Sequence, residues 1–561
     1  MEGMRDMSQN GSSAESARVR WLVVGAFSPS PSGRRFPLTV NTFGDELTRA
    51  ASGLRVTVAD RLGAGDTRTV ELSFDRLRAF SFADVITRVP ELRALQHLHE
   101  SLATSDPLRT LTPEEAATRV ATVTGPGRLP DAVAEALRAV SAPPPAPTAP
   151  AEPTESNEDL VETLLSRADA GTPAAASRAV DAFLRALNPR APATPAPVVT
   201  PEAATRQTAR DLVEEALLLT AKDLLGAEPV APLESAWRGL KWLLDQVPAS
   251  SGITVEVLDV ARAGLLDAVQ GALDAEPFER PDAVFLADAT DDVALLGRLA
   301  ALGERAQLPV VAAVSAPLLG VAQAELAVAL EEEREQVSEA WTALRQDESA
   351  RWLCAVINRV VVASEGRGAA RRVSFTSPAL AVAAMLAASY RDTSAFARIM
   401  GQQGGLKAPA LWELPTGRDT GLGIPTEHFL PIRAQARLEE RGILGLGSGR
   451  NADAVLLSAA PMVFGGGYAV PLPAQLLTGR IVRFATWVRD QLPAGTGGDD
   501  VDAIFSQAAE VFLFRGATEN GQLRGQLVAT DNGRGVHVTA TVRPEHAGTR
   551  FQLAFTLPLR G

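Results

Sequence analysis

Residues 233–260 read LESAWRGLKWLLDQVPASSGITVEVLDV, and this stretch decides the architecture. Its first part, 233–247, has the spacing of an amphipathic helix, and residues 253–260 form an apolar strand. Further helical patterns at 206–226, 261–275 and 291–305, with apolar strands near 283–288 and 308–314, continue the alternation. Such repetition predicts a mostly parallel sheet with helices packed on it. Trp237 and Trp242 sit five apart on the helix. They read as core and subunit-contact residues rather than a ligand box.

Toward the amino terminus, RWLVVGAF at 20–27 is a short apolar run bounded by Ser, Pro and Gly, the pattern of a buried strand. Leu54, Val56 and Val58 alternate with polar residues, as do Val70, Leu72 and Phe74. Phe82–Glu100 then has helical spacing. The order strand, helix, strand, strand, helix predicts a compact α/β unit. Toward the carboxyl terminus, Val536, Val538, Ala540 and Val542 alternate, and so do Phe551, Leu553, Phe555 and Leu557 after a turn at Pro544–Gly548. These read as a terminal β-hairpin. The fold class is therefore α/β, a small domain plus a larger one ending in that hairpin.

Composition marks the seams. SAPPPAPTAPAEPTESN at 141–157 holds six prolines and predicts an extended spacer, since proline supports neither helix hydrogen bonds nor a sheet ladder. NPRAPATPAPVVTP follows at 188–201. Between them lie two short amphipathic patterns, the first with Leu160, Leu164 and Leu165 on one face. The expected layout is a disordered stretch at 1–17, a small domain at 18–140, a tether with short helices at 141–201, and a large domain at 202–561.

A formal charge of −13 and a pI near 5.1 argue against nucleic acid and against anionic membrane surfaces, which need a concentrated basic face. Cys354 is the only cysteine, so there is no intrachain disulfide and no cysteine metal cluster. No apolar run reaches the roughly 20 residues of a membrane span, and the polar first 17 residues lack a secretory core. A cytoplasmic protein without direct membrane insertion is expected.

No catalytic constellation emerges. Gly445–Gly449 lacks the Lys-Ser/Thr of a phosphate loop and reads as a turn. The five histidines are scattered, and His97 and His99 would face different sides of one helix. Cys354 lies in an apolar run where a buried thiol is the default. Glu331–Glu335 reads as a solvated helix face. Arg238 and Arg351 are candidates for interface or buried ion pairs. No cofactor, metal site or enzyme activity is expected.

Two resemblances arise from these same residues. Gly25–Gly33, Asn41-Thr42-Phe43, Val56–Leu62, Phe80–Val85 and Val89–Leu95 resemble, in order and spacing, the small subunit of the type VI secretion contractile sheath. Leu233–Leu240 with Ile253–Val260, then Leu286–Ala289, Leu308–Val314, Trp341–Trp352, Ile424–Glu427 and Leu438–Asp453, resemble its large subunit. The chain thus resembles a fusion of the two, with an architecture like that of phage-tail sheaths. Small subunits of this family begin with an extended strand whose alternation Ser8–Ala17 lacks.

The resemblance implies a structural protein that polymerises into a contractile tubular sheath and drives an inner tube by contraction. Its partners would be further copies of itself, an inner tube protein, a baseplate and an Hsp100-class unfoldase. Val536–Val542 and Phe551–Leu557 would be strands shared between copies; otherwise the hairpin packs on its own domain. Leu160, Val161, Leu164 and Leu165 would form the helix that the unfoldase grasps, or else a helix packed permanently on the fold. Trp237, Arg238, Trp341 and Arg351 would serve core or interface. The alternative function is a sheath-like accessory or capping paralogue that binds sheath ends.

Overall fold

Val19–Gly25 (β1) buries every residue except Arg20, which is half-buried. A continuous apolar run of this kind suits a strand with both faces covered. The computed structural model describes residues 18–104, 112–141, 201–275, 280–415, 421–467, 469–493, 495–514, 520–530 and 533–559. Two compact units emerge, one of residues 1–59, 67–89 and 218–561, the other of 60–66 and 90–217. These units do not follow the Pro-rich seams. The unfoldase-helix residues Leu160, Val161, Leu164 and Leu165, the Pro-rich stretches beyond Ser141 and residues 1–17 lie outside the described residues.

The first unit opens with β1, then Arg34–Leu38 (β2), Phe43–Ala50 (α1), the hairpin Leu54–Ala59 (β3) and Thr67–Leu72 (β4), and Phe82–Arg88 (α2). The Ser81 hydroxyl caps α2 by accepting from the Asp84 N–H. A single helix over Phe82–Glu100 is expected from spacing, yet α2 stops at Arg88 and Pro90–Thr104 (α3) starts afresh. Pro90 is the reason: it has no N–H to continue the helix, and it holds Val89 in an extended conformation.

The second unit joins the loop at 60–66 to helices among its described residues. It contains α3, Pro113–Thr124 (α4), Arg128–Ser141 (α5) and the first part of Pro201–Gly226 (α6). Thr112 and Glu115 form a reciprocal capping box at the start of α4. Gly127 is required where the chain turns into α5: its φ is +144°, and a Cβ there would lie 2.4 Å from the Gly63 and Ala64 backbone.

The chain returns to the first unit through the rest of α6, Val230–Asp245 (α7), Ile253–Asp259 (β5), Leu265–Leu273 (α8), Ala283–Thr290 (β6), Val293–Ala306 (α9) and Val310–Val314 (β7). Glu339–Leu344 (α10), Leu353–Ile357 (β8), Val360–Glu365 (β9), Arg372–Thr376 (β10), Pro378–Thr393 (α11), Ile432–Glu440 (α12) and Ile443–Gly445 (β11) follow. One apolar run at 352–362 becomes two strands because Asn358 adopts a φ of +81° between them. Its buried amide donates to the carbonyls of His428 and Leu446 and accepts from the His428 N–H.

The main sheet has seven strands in the order β11-β8-β7-β6-β1-β5-β2, with only β2 antiparallel. β1 therefore sits inside the sheet, pairing with β5 from Val19–Ile253 to Gly25–Asp259 and with β6 from Trp21–Ala283 to Val24–Leu286. One core cluster gathers α8 and α9 residues such as Val269, Leu296 and Leu299 around Leu22, Val24 and Val284. α7 packs on α11, and α11 lies against β6, β7 and β8. Gly239 makes this crossing possible, since a Cβ would fall 2.8 Å from Leu380 Cδ1 on α11 and 1.9 Å from Thr376 Oγ1 at the end of β10.

At the carboxyl end, Leu472–Asp490 (α13) and Gly498–Phe512 (α14) precede three antiparallel strands, Gly521–Thr530 (β12), Gly533–Val542 (β13) and Phe551–Pro558 (β14). Their order is β12-β13-β14. The expected two-stranded hairpin is thus part of a three-stranded sheet. β12 escapes the alternation pattern because Gly521 and Gly525 stand where apolar side chains would, giving their space to the rings of Phe514 and Phe505.

Candidate assembly interface

The loop before α2 is held by a buried charge network. Glu234, wholly buried on α7, pairs with Arg372 of β10 and with Arg238 one helical turn on. Arg238 donates to the carbonyls of Leu77 and Phe80, at 3.3 and 3.1 Å. Arg372 donates to Phe80 at 3.2 Å, and Glu365 accepts the Phe82 N–H at 3.1 Å. The guanidinium of Arg372 loses hydration by burial, but the carboxylates of Glu234 and Glu365 outweigh that and raise its pKa. Such a network holds only while all members are present.

Trp237 is buried on the same helix, where its indole donates to the carbonyl of Phe27 at 2.9 Å and meets the ring of Phe43 edge-on. Arg238 and Trp237 therefore bind elements of the same chain. Glu234, Glu365 and Arg372 are partners that sequence reading misses. A signal exists for Glu234, which lies on the buried stripe Val230-Leu233-Trp237-Leu240 of its helix.

Trp341 is also buried and donates to the carbonyl of Arg441 at 2.9 Å. Arg351 pairs with Glu348 and lies 4.0 Å above the ring of Phe464. Glu335, expected on a solvated face, is 4% exposed because it turns inward to Arg437. Cys354 is buried, and desolvation raises its thiol pKa well above the ordinary value. Among the described residues no group of three or more His, Cys, Asp or Glu is placed to hold a metal, and no helix is long and apolar enough to cross a membrane.

Among the described residues, the carboxyl-terminal sheet has one ladder without a partner. Val536, Val538, Ala540 and Val542 are buried on β13, whose backbone groups are taken by β12 on one side and β14 on the other. Phe551, Leu553, Phe555 and Leu557 face the same core, packed with Phe484, Phe505 and Val501. The outer edge of β12 is engaged by α14, where Asp502 accepts the Gly525 N–H at 3.3 Å and the ring of Phe505 packs on Gly525.

β14 remains. Leu559 donates to Arg534, which fixes the odd-numbered residues of β14 as those paired inward. Gln552, Ala554 and Thr556 consequently direct their N–H groups outward, and all three are exposed. Pro558 ends this row, since it has no N–H and its carbonyl accepts from Arg489 at 3.3 Å. An edge of three donors is a short template for a strand from another chain.

Residues 23–115 match the family model described as "Type VI secretion system, VipA, VC_A0107 or Hcp2". No curated protein matches the chain. Similar solved structures include the anti-feeding prophage baseplate, at 13% identity over 58% of this chain and 78% of that chain, with a TM-score of 0.35. The contracted helical sheath of the same prophage has 12% identity, the same two coverages and a TM-score of 0.33. A sheath tail protein from Desulfitobacterium hafniense has 11% identity over 54% of this chain and 61% of that one, with a TM-score of 0.32. The family match begins inside β1, at the centre of the main sheet, and ends inside α4, so the part of this chain that is similar to the VipA family model of the type VI secretion system is residues 23–115.

Proposed function

We propose that this chain is a structural, non-enzymatic subunit that polymerises into the contractile sheath of a type VI secretion apparatus in the cytoplasm. The observation that carries the reading is the VipA-family match, whose first strand is shared with the rest of the chain in a single sheet. Copies are joined by a donated strand on the outer edge of β14, where backbone pairing gives affinity and side-chain alternation gives register. Tube protein, baseplate and an Hsp100-class unfoldase are the partners this role calls for. The short ladder keeps neighbouring copies tied while the lattice contracts.

The test is negative-stain imaging of the purified full chain beside its Ala554→Pro variant. Proline at 554 removes an outward N–H and leaves the inward ladder to β13 intact. Long tubes from the wild type and none from the variant support the proposal. Small closed particles point instead to an end-capping role, and tubes from the variant remove β14 from the assembly contact.

A further inference from the structure

Three arginines gather near the end of α12. Arg437 is paired with Glu333 at 3.0 Å and with the buried Glu335 at 2.5 Å. Arg441 reaches the same Glu335 only at 3.8 Å, and its Nε is buried without a hydrogen-bond partner. Arg345, just past α10, donates Nε to the Val463 carbonyl at 3.2 Å, while its own carbonyl accepts from Gly465. Among the described residues no carboxylate lies within ion-pairing reach of Arg345.

Two glycines make room for that guanidinium. A methyl on Gly442 would stand 3.0 Å from Arg345 Nε, and one on Gly465 would stand 3.2 Å from Nη2. Arg441 directly precedes Gly442, so the second cation flanks the same wall. Burial and then the charge of Arg441 lower the pKa of Arg345, as expected for neighbouring like charges. Among the described residues Arg437 pairs with both carboxylates, Arg441 reaches one of them only at 3.8 Å, and Arg345 pairs with neither.

We propose that Arg345 and Arg441 form a twin-guanidinium clamp that receives a carboxylate from a second copy of this chain. A guanidinium fork matches a carboxylate in geometry as well as charge. With a formal charge of −13, the chain has acidic side chains in excess to present to a neighbour. The inference rests on the reading that copies assemble.

The experiment compares the assembly threshold of the full chain, by sedimentation and imaging, among wild type, Arg345→Gln, Arg345→Lys and Arg441→Gln. The glutamine variants are expected to raise the threshold roughly tenfold, the size of one lost charge-assisted contact, and the lysine variant less. Citrate, at ionic strength matched with sodium chloride, should raise the threshold of the wild type and leave that of Arg345→Gln unchanged. Melting temperatures identify a variant that fails to fold; Arg441→Gln then decides in place of Arg345→Gln, and the citrate arm needs only the wild type. Wild-type tubes with equal assembly by folded glutamine variants overturn the clamp alone. A wild-type chain that never assembles overturns the sheath reading and the clamp together.

Discussion

The indole of Trp237 donates its N–H to the carbonyl of Phe27 at 2.9 Å across a sequence separation of 210 residues. This bond joins α7 to the loop that leaves β1. Trp237→Phe keeps an aromatic ring but leaves the buried carbonyl without its donor, at a cost of about 1–3 kcal/mol. Urea unfolding of the full chain should show the corresponding drop, and an unchanged midpoint would contradict the contact.

Glu234→Gln is expected to be more damaging. It strips Arg238 and Arg372 of their shared buried carboxylate, and breaking a buried pair in this way costs about 3–5 kcal/mol. The double variant Glu234→Gln with Arg372→Met should lose less than Glu234→Gln alone, because no guanidinium is then stranded at that position. Equal losses would show that Arg372 finds sufficient compensation in Glu365.

Cutting the backbone at a protease site introduced between residues 142 and 200 should not part the two halves. β1 would remain laddered to β5 and β6, and Phe80 to Arg238 and Arg372. Gel filtration is expected to return both fragments in one peak, parting only in denaturant. Separate peaks in plain buffer would refute this.

Stability should fall with mild acid through His428. Burial lowers its pKa, with Glu427 opposing only in part, and its Nε2 is buried without a hydrogen-bond partner. A depressed folded pKa means that the unfolded chain takes up the proton first. Stability is thus fully present above the unfolded value of about 6.5 and declines as pH falls below it. Unfolding midpoints at pH 7.5 and 5.5 should differ less in His428→Gln than in the wild type.

Asp502→Ala exposes a second sheet edge. It frees the N–H of Gly525 on β12 and releases Arg524, paired with Asp502 at 2.7 Å. Unpaired edges recruit other strands, so light scattering at fixed protein concentration should rise. Scattering equal to that of the wild type would mean that α14 blocks the edge without this carboxylate.

The alternation of helix and strand from Leu233 to Val314 is legible because each element there keeps one period. The position of β1 is not legible: a buried apolar run such as RWLVVGAF has the same appearance in any parallel sheet, and periodicity carries no information about which strands flank it. β13 and β14 are readable from two strict alternations, whereas β12 is hidden by glycines that make way for phenylalanine rings. Trp237 and Arg238 stand out by residue type. Glu365 and Arg372, which complete the network around Glu234, do not, since an acidic or basic residue in a strand reads as solvent-facing until the fold brings the opposite charge to it.

Placing β1 between β5 and β6 also sets a clock for biosynthesis. Val19, whose carbonyl meets Thr254 across 235 residues, leaves the ribosome well before its neighbours exist. At about 5–20 residues per second, the run VRWLVVG waits roughly 10–50 seconds for a place in the sheet. A nascent segment that apolar must be shielded in the interval, so the amino-terminal strand is where a chaperone earns its place in making this protein.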